Sequence, residues 1–295
     1  ENNLQRFSDI PFHPIILALG KLGSGTLDYG SDLDLVMSYD DAGNLTPHSA
    51  EPEVCSRVVE HFVDLLSSMT RDGNLYRVDL RLRPHGKNGP NIISLGALIE
   101  YIESEASIWE LLAYVQMRAL NIGTGGADHH EASIRDAIHR RASREDRATI
   151  KHEARAMRLR LERTHAARGR NVDIKFGAGG LLDVYFVVRY LLLLDLRAIA
   201  PEAMTTSARL DAFAAAGMLS AEDHAALHEG HGFLSTLDHS LRLAFGRSSR
   251  LPRANHPVME RIAARMETGS EAELVEQLTV HRINIRGAFE RIFTN

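Results

Sequence analysis

Three aspartates in this 295-residue chain have the types and spacing to do chemistry together: Asp32 and Asp34 in the string SDLDL, and Asp79 in LYRVDLRLRP. On a strand, residues i and i+2 point to one face, so Asp32 and Asp34 project together while Leu33 and Leu35 point into the opposite layer. Two carboxylates side by side repel each other unless a cation, a proton or an arginine compensates them. Mg²⁺ is the economical compensator, because it takes carboxylate oxygens and leaves positions for water and phosphate oxygens. In residues 75–84 the alternation puts Tyr76, Val78, Leu80 and Leu82 on one face and Arg77, Asp79, Arg81 and Arg83 on the other. If this segment is a strand beside the first, Asp79 completes a three-carboxylate set able to hold two metal ions ~3.5–4 Å apart, one positioning an attacking hydroxyl and one gripping a triphosphate. The competing reading is a surface ladder of salt bridges among one aspartate and three arginines.

The stretch that leads into the pair, GKLGSGTLDYGSDLDL over residues 20–35, is rich in glycine and donor groups. Backbone N–H groups of Gly23, Ser24 and Gly25, with the Ser24 and Ser31 hydroxyls, suit phosphate oxygens, and Lys21, Arg81 and Arg83 supply positive charge. The plainer alternative is a tight glycine turn with no ligand. G-x-x-x-x-G-K-[ST] is absent, so the loop is not a P-loop. Because the acids follow it immediately, it also lacks the strand-to-helix setting of a dinucleotide fingerprint.

The elements that must position these residues differ between the two halves of the chain. Ile15 to Leu19 and Leu33 to Tyr39 read as strands flanking the loop, Glu53 to Met69 as an amphipathic helix, and Leu75 to Leu82 as a third strand. Helices follow at about 95–103 and 107–120. Glycine is concentrated in NIGTGGAD, 121–128, which marks a connector. Beyond it the pattern is almost continuously helical: one long charged helix over about 129–167, an apolar helix after Gly180, and further helices to the end. SAED at 220–223 carries the serine and acids of a helix N-terminus. Strands mixed with helices, followed by helices alone, indicate an α+β sheet domain and then a bundle.

Composition sets the outer bounds. Hydrophobic residues make up 44% of the chain, enough for a substantial core. The formal net charge of −5 argues against a protein that wraps nucleic acid. The lone Cys55 excludes an internal disulfide, fits a reducing cytoplasm and reads as a small buried hydrophobe. The apolar run 181–196 is interrupted by Asp183, Arg189 and Asp195 and falls short of a membrane span. His224, His228 and His231 share one helical face, a spacing that suits zinc, but no acidic or cysteine ligand accompanies them, which favours a surface or packing role.

GKLGSGTLDYGSDLDL, YRVDLRLRPHGKNGP and DIKFGAGGLLDVYF resemble motifs of the glutamine synthetase adenylyltransferase and adenylyl-removing enzyme family, within the nucleotidyltransferase superfamily. The likeness continues through FLSTLDHSLRL and GRSSRLP to HRINIRGAFERIF. It implies one catalytic unit: a polymerase-beta-like nucleotidyltransferase domain with a mixed sheet over residues 1–125, then an all-helical bundle over 126–295, with 172–184 returning toward the active site. It also implies that Asp32, Asp34 and Asp79 are the catalytic metal ligands for two Mg²⁺ ions, that ATP is the substrate, and that Lys175 and Asp183 lie near the site. The implied partners are glutamine synthetase and a PII-type regulatory protein, with no membrane and no nucleic acid, in the cytoplasm.

Family enzymes carry two such units, an adenylylating and a deadenylylating one, and the short lead before the first strand suggests that this chain is part of a longer enzyme. DYGSDLDL and GGLLDVYF are more similar to the adenylylating half, whereas RVDLRLRPHGKNGP leans toward the other. Transfer of AMP to a tyrosine of glutamine synthetase is therefore the first expectation, and phosphorolytic removal is the alternative. Two departures stand out: Thr26 and Tyr185 occupy positions where the family has glutamate. They motivate a third reading, a regulatory module that keeps the fold without turnover.

Overall fold

The computed structural model describes residues 14–39, 52–71, 73–120, 127–165, 172–195, 205–246, 249–252 and 257–294. Of the connector expected over 121–128, residues 121–126 lie outside them, and the last two are already helical. The chain divides into two compact units, one of Glu1–Leu27 with Ser31–Arg144 and one of Asp28–Gly30 with Glu145–Asn295.

The first unit is built on a mixed sheet. β1 (Pro14–Ala18) pairs antiparallel along its full length with residues 35–39 of β2 (Leu33–Tyr39). β5 (Arg118–Leu120) adds antiparallel to the other side of β1. Two short strands share the free edge of β2, both parallel to it: β3 (Val78–Asp79) at its start and β4 (Ile92–Ser94) at its end. Alternation sorts the side chains as a strand must. Ile16, Ala18, Leu33, Leu35 and Met37 pack with Cys55 and Val59 of α2 (Pro52–Ser67), and Phe62, Val63 and Leu66 border this core. The other parity of β2 carries Asp34, Val36 and Ser38, of which Val36 and Ser38 are fully buried and Asp34 is half-buried. α3 (Leu95–Ser104), α4 (Ile108–Tyr114) and α5 (Ala127–Ala142) complete the unit, α5 packing on α3, α4 and β5.

Two expectations need correction here. The third strand was expected over 75–82, yet only Val78 and Asp79 pair. The chain turns immediately afterwards: the Arg81 amide donates to Asp79 Oδ1 at 2.9 Å and the Arg83 amide to the Leu80 carbonyl at 3.2 Å. The helix expected over 107–120 stops at Tyr114, and 118–120 become β5, because tertiary pairing with β1 outweighs local periodicity.

The second unit is helical apart from the short pair β6 (Val172–Asp173) and β7 (Arg250–Leu251). The long helix expected over 129–167 is broken: α5 ends at Ala142, and α6 (Arg147–His165) starts after a turn in which Asp146 accepts the Ile150 amide through its carbonyl. α7 (Leu181–Leu194) is buried on nearly every side, as its apolar run demands. α8 (Thr206–Ala215), α9 (Ala221–Phe245) and α11 (Glu271–Thr294) pack around it, and α10 (Met259–Arg265) packs on α9 and α11. α9 begins where SAED placed it, Ser220 Oγ accepting the Asp223 amide at 3.1 Å. Gly230 lets α9 and α11 approach closely, since a Cβ there would meet Ile285 Cδ1 at 2.6 Å. Among the described residues no helix is long and apolar enough to cross a membrane.

Candidate active site

Asp34 of β2 and Asp79 of β3 are direct Cα partners in the parallel pairing. Side chains opposite each other on neighbouring strands leave the sheet on the same side, so these two carboxylates share a face, the one opposite the α2 layer. Asp32 immediately precedes β2 and is exposed. The strand carrying the third acid therefore lies beside the first two.

A guanidinium already occupies this acidic corner. Arg81 Nε donates to both carboxylate oxygens of Asp79 at 2.9 Å, and its Nη2 pairs with Oδ2. That hydrogen bonding holds the Asp79 carboxyl below the usual carboxylate range. In turn Asp79, and behind it Asp34 and Asp32, stabilise the Arg81 cation. Three hard oxygen donors around one positive charge is the chemistry that suits Mg²⁺. Yet among the described residues no group of three or more His, Cys, Asp or Glu side chains is gathered as a metal cage. The acids fit a divalent cation in kind, and Asp79 must exchange Arg81 for it.

The loop before β2 does different work from the one expected. Gly20–Gly23 forms a single helical turn, α1. The amides of Gly23, Ser24 and Gly25, expected to face phosphate oxygens, donate within the turn to Leu19, Gly20 and Leu22 carbonyls at 2.9, 3.1 and 3.1 Å. The buried Ser24 hydroxyl donates to the Gly20 carbonyl and shares a 2.8 Å bond with Thr26. What the loop gives Asp34 is room: Gly20 sits at φ +55°, and any Cβ there would collide with Asp34 Oδ2. A glycine just beyond a strand that faces a carboxylate-bearing strand is the sequence signal for this.

The remaining candidates separate. Arg83 is spent on its own loop, its guanidinium donating to the carbonyls of Leu80 at 2.9 Å and Gly89 at 3.1 Å. Tyr114 of α4 braces the same loop by donating to the Leu82 carbonyl, and burial pushes its phenol far above the ordinary range. Lys21, second in the helical turn, is half-buried, and Ser31 is buried just ahead of Asp32. Lys175 belongs to the second unit, its ammonium 5.2 Å from the Phe176 ring.

Asp183, also of the second unit, is fully buried. Its Oδ1 lies 2.5 Å from Arg158 Nε, while Oδ2 accepts the Gly179 amide at 2.8 Å and Arg286 Nη1 at 3.3 Å. These contacts join α6, α7 and α11. Tyr185 is packed inside the same unit, its ring 5.9 Å from and edge-on to His231. His224 and His228 pair with Asp211 at 2.8 and 3.6 Å, which accounts for them without a metal.

Comparison with known families divides the chain much as its texture does. Residues 153–293 match the family model for GlnD PII-uridylyltransferase. Residues 5–134, which contain Asp32, Asp34, Asp79, Gly20 and the whole sheet, match the family model for glutamate-ammonia ligase adenylyltransferase. The sheet-bearing part of the chain is thus similar to the glutamate-ammonia ligase adenylyltransferase family, a family of nucleotidyltransferase enzymes.

Proposed function

We propose that this chain transfers AMP from ATP to a tyrosine hydroxyl of glutamine synthetase. The in-register pairing of Asp34 with Asp79, which puts both carboxylates on one face of the sheet, carries the reading. Asp34 and Asp79, with Asp32, are the residues that would hold Mg²⁺. When bound, Mg²⁺ supplies positive charge against the triphosphate and against the charge that grows on pyrophosphate. In the reaction the phenolic oxygen forms a bond to the α-phosphorus, the bond from that phosphorus to the bridging oxygen of the β-phosphate breaks, and pyrophosphate leaves with the electron pair. The hydroxyl proton passes to a neighbouring carboxylate or to water.

In this reading Arg81 has two states, paired with Asp79 at rest and turned to the phosphates of ATP when the cation arrives. Its exposure, 71% of the side chain, leaves it the freedom to do so. The GlnD PII-uridylyltransferase likeness of the helical part supports a PII-type protein as a regulatory partner.

The test uses ATP labelled on the α-phosphate, Mg²⁺ and glutamine synthetase. Label should appear on the partner with the wild-type chain and fall at least about 10³-fold with Asp79→Asn, at unchanged melting temperature. Equal labelling by the variant refutes the site. Release of label from adenylylated glutamine synthetase by inorganic phosphate, with no labelling in the forward direction, would assign the opposite direction.

A further inference from the structure

FLSTLDHSLRL, residues 233–243, is part of the family likeness, yet neither the metal-binding acids nor the buried Asp183 cluster uses it. In the structure it lies on α9, and it grips the piece of the loop just before the catalytic acids. The chain leaves the first unit at Leu27, gives Asp28–Gly30 to the second, and returns at Ser31. Asp28 Oδ1 accepts from His239 Nδ1 at 2.8 Å. Arg242 Nη1 donates to the Tyr29 carbonyl at 3.3 Å, and its Nε lies 3.9 Å from Asp28 Oδ2. Arg242 is itself fixed by a 2.9 Å bond to the buried Asp238 one turn earlier. The Tyr29 amide folds back onto Asp28 Oδ1 at 2.6 Å, closing the segment.

We propose that His239, together with Arg242, is a positioning residue for Asp32 and Asp34, acting through Asp28–Gly30. Three features argue for it. Only Ser31 separates the gripped segment from Asp32, so a shift of the segment is passed on along the backbone. Gly30, at φ +65°, has no side chain to lock the chain by itself. The grip combines a carboxylate and a carbonyl, so it fixes both position and orientation, whereas a single surface ion pair would fix neither well. His239 is half-exposed. Misplacement of a reacting group by about 1 Å costs on the order of 10²-fold in rate, so a small slackening suffices. The inference rests on the catalytic reading of Asp32, Asp34 and Asp79.

The experiment compares wild type, His239→Ala, Asp28→Asn and His239→Gln in the full chain by two readouts. One is amide hydrogen exchange over residues 28–34, and the other is the labelling of glutamine synthetase with ATP and Mg²⁺. His239→Ala and Asp28→Asn should each speed exchange by roughly threefold or more and lower kcat about ten- to a hundredfold at unchanged KM for ATP. Their double variant should be no worse than either alone. His239→Gln, which retains a donor, should restore both readouts, and His224→Ala on the same helix should alter neither. Unchanged exchange in both variants overturns the inference, as does faster exchange at unchanged kcat. Faster exchange with no labelling by any sample, wild type included, upholds the positioning and removes the catalytic reading instead.

Discussion

Each unit contains a cluster of aspartate and arginine, and the two differ in water. Asp183, Arg158 and Arg286, with Glu162 and Glu290 alongside, tie three helices together, and Asp183 and Arg158 are wholly buried. Every charge there has a partner from another element, so exchanging one would strand its neighbour in a dry interior. Asp79 and Arg81 are two residues apart on one edge, and the arginine faces solvent. That pair can open at little cost, because water takes over each partner. The same residue types make a staple in one place and a replaceable counter-ion in the other. A site needs the second kind.

The sharpest way to break this contrast is to neutralise one aspartate in each cluster. Asp183→Asn should destabilise the helical unit by about 3 kcal/mol, since the wholly buried Arg158 loses its 2.5 Å carboxylate partner, whereas Asp79→Asn should cost less than about 1 kcal/mol. Urea unfolding of the two variants reads both, and similar losses would erase the distinction. A smaller effect is expected from Gly20→Ala, about 1–2 kcal/mol from the left-handed backbone and the clash with Asp34, with labelling activity reduced alongside.

The smallest is a pH effect. His281 of α11 stacks on Phe233 of α9 at 4.6 Å, and burial depresses its pKa against the opposing pull of Glu229. Its contribution is fully present above the ordinary histidine value near 6.5 and is lost as pH falls below it, because the unfolded chain takes up the proton first. His281→Gln should flatten the stability profile between about pH 7 and 5, measured by thermal melting.

Much of this was legible in the residues. β2 begins and ends where alternation put it, α7 is the buried helix its apolar run required, and Ser220 caps α9; α2 forms where expected, but Leu65 and Met69 of its expected stripe are exposed, while Cys55 and Val59 are buried. The three aspartates could be chosen because like charges at i and i+2 demand an explanation and because Asp79 sat in an alternating run. Other features depended on facts the chain order does not carry. The length of β3 was set by turns that Asp79 and Arg83 make with nearby backbone, and β5 exists because β1 offers an edge. The sequence marks the amides of Gly23, Ser24 and Gly25 as donors for phosphate, but it does not show the helical turn within which they bond. Gly20 and Asp28 act through distant partners, Asp34 and His239, which no spacing rule connects.

The central claim is that Asp34 and Asp79 are an exchangeable cation site held by Arg81 at rest. Mn²⁺ titration followed by electron paramagnetic resonance tests it without requiring turnover. The wild-type chain should bind Mn²⁺, Asp34→Asn should lose most of that binding, and Arg81→Ala should tighten it by up to roughly fivefold, the worth of about 1 kcal/mol. Binding indifferent to Asp34→Asn, or weakened by Arg81→Ala, would contradict it.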